Sequence, residues 1–196
     1  MITANDRKIL RHIDAYKFIT IEQAKQLAFP DMKRGYEYAR TRLQNLVTKE
    51  KRLKVIHNSA LKLKLFIDID SDIKSISAHR IYLLDFYCSL LKSGVEIERF
   101  ELEKQWLGGK IRSDAFCVYM YGGYRFRNLV EVNTSQNKIN LGRYDEAKDE
   151  ILTECGGKEL PRVVLLDDRR HMHYDTKQYQ VVRLDYDLNN FPEIFL

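Results

Sequence analysis

Apolar and polar positions alternate along this chain in two rhythms, helical first and strand-like later. Thr3 and Asp6 resemble a helix start, and Ile9, Leu10, Ile13 and Tyr16 then recur at helical spacing, which predicts a first helix ending by Phe18. Thr20 and Gln23 have the S/T-x-x-E/Q form of a capping box, in which hydroxyl and amide satisfy each other's exposed backbone donors; Ala24 and Leu27 carry the apolar stripe to Phe29-Pro30, predicting a short second helix. Ala39, Leu43, Leu46 and Val47 share one sector at about 100° per residue, so a third helix is expected over residues 35–50. Residues 53–56 and 61–67 then read as strands around a His57-Asn58-Ser59 turn. In the second of them Leu61, Leu63 and Leu65 alternate with Lys62 and Lys64, predicting one dry and one cationic face.

After an acidic junction at residues 68–72, Ile81, Leu84, Phe86, Tyr87 and Leu91 predict a buried helix over 77–92 with Cys88 inside it, ending before Gly94. Residues 95–103 alternate imperfectly and read as a strand. Residues 114–121 and 124–133 are strand-like runs around Gly122-Gly123, a strong two-residue hairpin signal because both positions tolerate positive φ. Residues 139–155 read as an amphipathic acidic helix, and 162–166 and 179–184 as strands, the first apolar enough for a central position. The expected organisation is α+β/α/β, with a first domain over 1–70 and a second over 75–196.

Charge sharpens that division. The chain of 196 residues carries a net +5, yet residues 1–67 hold 15 Lys and Arg against 6 Asp and Glu, an excess of +9, which leaves −4 for the rest. Charge alone does not separate phosphate contact from a solvated lysine-rich face. The third helix adds information, because the sector opposite its apolar stripe holds Arg34, Glu37, Tyr38, Thr41, Gln44 and Asn45, with Arg40 and Arg42 on its flanks. Amides and hydroxyls suit base edges, and guanidinium groups suit phosphates. Three short helices followed by a basic hairpin form the pattern of a winged helix-turn-helix, whose third helix enters the major groove while the wing, with Lys62 and Lys64, touches the backbone or the minor groove. Such folds also serve as protein-contact modules; the basic excess favours double-stranded DNA.

The Gly-Gly turn has a chemical consequence in the second domain. If Tyr121 pairs with Tyr124, Asp114 faces Glu131 across the ladder, at the ~4.5–5.5 Å Cβ separation where two carboxylates need a cation or a proton between them. Mg²⁺ or Mn²⁺ would satisfy both and could activate water. Arg112, two residues from Asp114, is the structural alternative, and sequence leaves the two open. Other features are weaker. His171-x-His173 lacks a third spaced ligand, Cys117 reads as a small core residue, and Trp106 with Gly108-Gly109 reads as an anchor and a turn. Cys88, Cys117 and Cys155 lie far apart, fitting reduced thiols. With no bilayer-length apolar run and a polar start, the chain is expected to be cytoplasmic, with no membrane partner.

The order of elements, with an acid on one strand and E-x-[basic residue] expected on the next, resembles the PD-(D/E)xK restriction-endonuclease-like superfamily. That resemblance implies metal-ligand and catalytic roles for Asp114 and Glu131; its lysine position holds Asn133, which is neither cationic nor basic, and Lys138 is the candidate substitute. The N-terminal pattern together with Arg40-Thr41-Arg42-Leu43-Gln44-Asn45-Leu46-Val47, Ile111-Arg112-Ser113-Asp114-Ala115-Phe116 and Leu129-Val130-Glu131-Val132-Asn133 is similar to the replication-relaxation family of plasmids and conjugative elements. The resemblance implies duplex DNA binding in replication, relaxation or transfer of a mobile element, with a replication or relaxase protein as a partner and a homodimer as a candidate assembly. No cofactor is needed for binding. The missing lysine argues against cleavage, and a metal-dependent endonuclease and a transcriptional regulator are the competing expectations.

Overall fold

In a computed structural model, Thr3 and Thr20 each begin a helix with the reciprocal cap that their spacing predicts. The structure describes residues 1–135, 139–169, 174 and 178–196, in two compact units, Met1–Lys92 and Ser93–Leu196. In the first unit α1 (Ala4–Tyr16) starts where Thr3 Oγ1 accepts from Asp6 N and Asp6 accepts from Thr3 N; α2 (Ile21–Ala28) repeats this with Thr20 and Gln23. Next comes α3 (Gly35–Thr48), whose first residue has to be small. A Cβ at Gly35 would stand 2.6 Å from the Phe29 carbonyl oxygen. Strands β1 (Leu53–Asn58) and β2 (Leu63–Asp68) pair antiparallel, and Ile19 joins the ladder by exchanging two backbone hydrogen bonds of 2.9 Å with Phe66. Ile9, Ile13, Ala39, Leu43, Leu46, Leu53 and Phe66 form the core between helices and hairpin.

Three expectations change here. The hairpin is longer than 53–56 and 61–67 suggest, because Asn58 is still in the strand; its side chain accepts from Leu61 N and donates to Ile76 O, fastening the turn on two sides. The dry-and-cationic alternation also fails at its start: Leu61 precedes the strand, and Leu63 is as exposed as Lys62 and Lys64, since the sheet has only two strands and its tip projects beyond the core. Finally, α4 (Ala78–Lys92) packs on α2 in the first unit. Gln23, beyond its capping duty, donates 2.8 Å to Asp85 Oδ1 on α4 and 3.4 Å to Ile81 O. The units therefore divide between Lys92 and Ser93, where a pattern-based boundary falls near residues 70–75.

The second unit is a five-stranded mixed sheet. Its strands are β3 (Glu96–Leu102), β6 (Ala115–Tyr121), β7 (Tyr124–Val132), β8 (Arg162–Leu166) and β9 (Val181–Leu184), in that spatial order, antiparallel through β7 and parallel from β7 to β9. A bulge between Ile97 and Arg99 explains the imperfect alternation of β3. Between β3 and β6 lies a small hairpin, β4 (Gln105–Trp106) with β5 (Ile111–Arg112), that places Trp106 edge-on to Phe116 at 5.6 Å. Residues 139–155 do not form one helix. They form a 3-10 turn (Leu141–Asp145) and α5 (Lys148–Glu154), separated at Glu146 and Ala147, and the 3-10 turn carries Arg143 and Tyr144, whose side chains both reach buried Glu131. Leu141, Tyr144, Ala147 and Ile151 from these segments pack on Phe116, Val118, Leu129 and Val163 of the sheet. No helix among the described residues is long and apolar enough to cross a membrane.

An ion pair fastens α3 to the start of α1. Arg42 reaches from α3 to fully buried Asp6, with Nε at 2.9 Å from Oδ1 and Nη2 on Oδ2. Burial pushes the Asp6 carboxyl up, but the hydrogen bonds from Arg42 and Thr3 outweigh it and hold the carboxyl below its usual 3.8. Arg42→Ala strands that carboxylate and is expected to cost about 1–3 kcal/mol in urea unfolding, whereas Arg40→Ala, at an exposed site, stays within about 0.5 kcal/mol. Because the folded pKa is depressed, the Asp6 contribution is present above the unfolded pKa and fades as pH falls through the folded one; the gap between wild type and Arg42→Ala therefore narrows in acid.

Candidate functional site

The polar sector of α3 is exposed and stands beside the hairpin. Arg40 and Gln44, and Thr41 and Asn45, are i,i+4 neighbours, so all four project along one side of the helix. Together with Lys64 and Phe66 of β2 and Ile21 of α2 they line a shallow groove of roughly 340 Å³. Arg40 pairs with Glu37 at 2.6 Å, but both side chains are more than half exposed, so the pair is weak and easily exchanged. Tyr38 is 48% exposed, with its ring against Phe29 at 6.3 Å. Arg34 occupies the exposed N-cap position of α3 without a side-chain cap, and Lys62 sits in the hairpin turn at φ +54°. The structure thus gathers Arg40, Thr41, Gln44, Asn45 and Lys64 in one groove. Arg34, Tyr38 and Lys62 lie on the surface outside it, and Arg42 is committed to Asp6.

In the second unit, Gly122 and Gly123 take φ +58° and +83°, and the ladder runs from Tyr121 opposite Tyr124 to Ala115 opposite Val130. This is the register the turn predicts. One step further, pairing gives way to a side-chain contact: Asp114 Oδ2 accepts from Val132 N at 2.8 Å. Glu131 is only 2% exposed, and its Oε1 accepts from Arg143 Nη2 at 2.7 Å and from the Tyr144 hydroxyl. Burial, then the nearby Asp114 charge, push the Glu131 carboxyl up, against Arg143 and Tyr144, to about 7. Arg143 is in turn held charged by Glu131, and two donors converging on one oxygen are the geometry of an ionised carboxylate. Burial and the Asp114 charge together thus hold the Glu131 carboxyl above an ordinary glutamate, at about 7, despite those donors.

Arg112 does not take the neutralising place. It is 58% exposed and pairs loosely with Glu103 at 3.8 Å, while its carbonyl accepts from Arg143. Nor does Asn133 stand idle at the lysine position. Its Nδ2 donates to Asp167 Oδ2 and to the Tyr174 hydroxyl, each at 3.1 Å. Asp167, at the end of β8, also accepts from Tyr174 and from Arg169 through backbone and guanidinium, with Arg183 at 3.9 Å. Burial raises the Asp167 carboxyl, and these donors more than reverse that, leaving it well below the carboxylate range.

Arg143, Tyr144, Asp167, Arg169 and Tyr174 thus belong to the site without having been singled out in the sequence. The available signal was a polar residue directly following the apolar run of a parallel strand, where α/β sheets carry their chemistry. Lys138 and His171-x-His173 lie outside the described residues. Cys117 is fully buried, its thiol pushed up to about 12 by burial, as suits a core residue.

A divalent cation implied by the superfamily resemblance does not fit this arrangement. Glu131 Oε1 is already filled by a guanidinium and a phenol, and among the described residues no third His, Cys, Asp or Glu joins Asp114 and Glu131. What the cluster does is hold two buried carboxylates, Glu131 and Asp167, by fixed donors at the C-terminal ends of β7 and β8.

A raised folded pKa contributes stability that is full below the usual 4.5 and is lost as pH rises towards 7, since only the folded form then keeps the proton. Measured by chemical denaturation, the stability of Glu131→Gln relative to wild type is therefore expected to improve between pH 5 and pH 8; a constant difference would contradict the raised value. Comparison with known proteins adds no identification, since no family model, curated protein or solved structure matches this chain.

Proposed function

We propose that this protein binds double-stranded DNA through its first unit, as an accessory factor in replication, relaxation or transfer of a mobile genetic element, without cutting the DNA. The observation that carries the reading is the groove in which Arg40, Thr41, Gln44 and Asn45 of α3 meet Lys64 of β2. It juxtaposes base-reading amides with phosphate-binding cations, and the unit around it bears the basic excess. In this reading the three helices and hairpin form a winged helix, with the Ile19–Phe66 bridge as the short third strand, α3 as the recognition helix and Lys62 and Lys64 as wing contacts. The antiparallel run β3, β6, β7 followed by parallel β8 supports a degenerate restriction-endonuclease-like second domain. Asn133 in place of lysine, and Arg143 on Glu131, support its lack of nuclease activity. The mobile-element setting and a replication or relaxase partner rest on the resemblance to the replication-relaxation family.

Fluorescence anisotropy with a labelled duplex tests the reading. The wild-type protein is expected to lose affinity steeply between about 50 and 200 mM salt, and Arg40→Ala with Lys64→Ala to weaken binding about tenfold or more and flatten the salt slope by about 2. Supercoiled plasmid is expected to stay intact in Mg²⁺ and in Mn²⁺. Duplex binding indifferent to the double substitution would overturn the groove assignment, and nicking abolished by Asp114→Ala would overturn the non-cleaving one.

A further inference from the structure

The other end of β7 carries a second basic surface. β8 pairs with β7 only from Asn128, opposite Arg162, so Tyr124–Arg127 have β6 on one side and a notch of roughly 830 Å³ on the other. Five cations line this notch, Arg125, Arg127, Lys148, Lys158 and Arg162, against the single carboxylate side chain of Glu159. Two of the five are engaged. Arg125 pairs with Glu98 at 2.6 Å, and Arg162 donates to the Ile194 carbonyl with its guanidinium 5.0 Å over the Phe126 ring. Arg127, Lys148 and Lys158 make no ion pair among the described residues. A positive concavity of this kind, inside a unit whose overall charge is negative, calls for an anionic occupant.

Along β7 the rings of Tyr124 and Phe126 alternate with Arg125 and Arg127, so rings and cations leave opposite faces of the strand and meet around its open edge, where Arg162 lies over Phe126. Tyr124 is 74% exposed at the tip of the hairpin, directly after the two positive-φ glycines of the turn. Behind it Phe126 stacks on Tyr119 at 5.3 Å and 11°, and Phe195 stacks on Tyr121 at 4.0 Å. Cations along an open edge with an exposed ring beside them are an arrangement that binds single-stranded nucleic acid, with phosphates on the cations and a base on the ring. An added peptide β-strand could also use the open edge of β7, but it has no need of three cations that make no ion pair among the described residues.

We propose that the notch formed by Tyr124, Arg127, Lys148 and Lys158 binds single-stranded nucleic acid, at a site distinct from the α3 groove. The β7 strand carries both this notch and Glu131, with Arg127 and Glu131 about 13 Å apart along it. The inference stands independently of the duplex-binding reading.

Anisotropy of the full chain with labelled oligo-dT and oligo-U of about 12 nucleotides tests it. Arg127→Glu with Lys158→Glu is expected to weaken binding about tenfold or more, and Tyr124→Ala about fivefold or more, while Arg127→Lys with Lys158→Arg keeps most of it. The Arg40→Ala, Lys64→Ala protein is expected to bind these strands as wild type does. Equal affinity for the two oligomers assigns the site to either strand type, and a preference names the one. Lys158→Glu alone, on an exposed loop, supplies the charge test if the double reversal fails to fold. The proposal is overturned if the wild type binds neither oligomer at about 50 mM salt, if charge reversal leaves binding unmoved, or if tripolyphosphate binds and the oligomers do not.

Discussion

Two consecutive glycines at positive φ set the register of β6 on β7, and most of the second unit's chemistry depends on that constraint. A one-residue slip would turn every β7 side chain to the opposite face of the sheet. Glu131 would then leave Arg143 and Tyr144, and Phe126 would leave its stack on Tyr119. With the register fixed, one end of β7 presents Glu131 to the turn that carries Arg143 and Tyr144, and the other presents Tyr124 and Arg127 to open space where β8 has not yet begun.

The buried carboxylates illustrate how desolvation governs a site. A carboxylate at 2% exposure is costly unless donors are fixed around it, and the fold supplies them: Arg143 and Tyr144 for Glu131, and Arg169, Tyr174 and Asn133 for Asp167. The outcomes differ because the donor sets differ. Asp167 accepts from several donors and stays a strong acid, whereas Glu131 also feels Asp114 and is pushed up. Asn133, neutral and able to donate, fits beside Asp167; a lysine there would compete with Arg169 for the same oxygens.

The first unit places a similar division of labour on α3. One arginine of the helix, Arg42, joins α3 to the cap of α1 through Asp6, and its near neighbour Arg40 stays at the surface beside Gln44 and Lys64. Two residues along a helix differ by about 200° in direction, so one arginine is held in an internal ion pair while a chemically identical one stays exposed.

Much of the local structure was legible in the chain. Both capping boxes, the sectors of α3, the Gly-Gly hairpin and the apolar run of β8 depend on residues within a few positions of one another, where propensity and periodicity act directly. The same local rules placed Arg40, Thr41, Gln44 and Asn45 on one side of α3, and Asp114 and Glu131 at the far end of the hairpin ladder. They could not choose between Arg112 and Arg143 as the partner of Glu131, split residues 139–155 at Glu146 and Ala147, assign α4 to the first unit, or withdraw Arg42 from the exposed polar face of α3. Each of these is decided by which distant group satisfies a buried charge or an unpaired donor. Hydrophobic pattern specifies which side of an element is buried, but the identity of the partner met there is set only when the chain has folded.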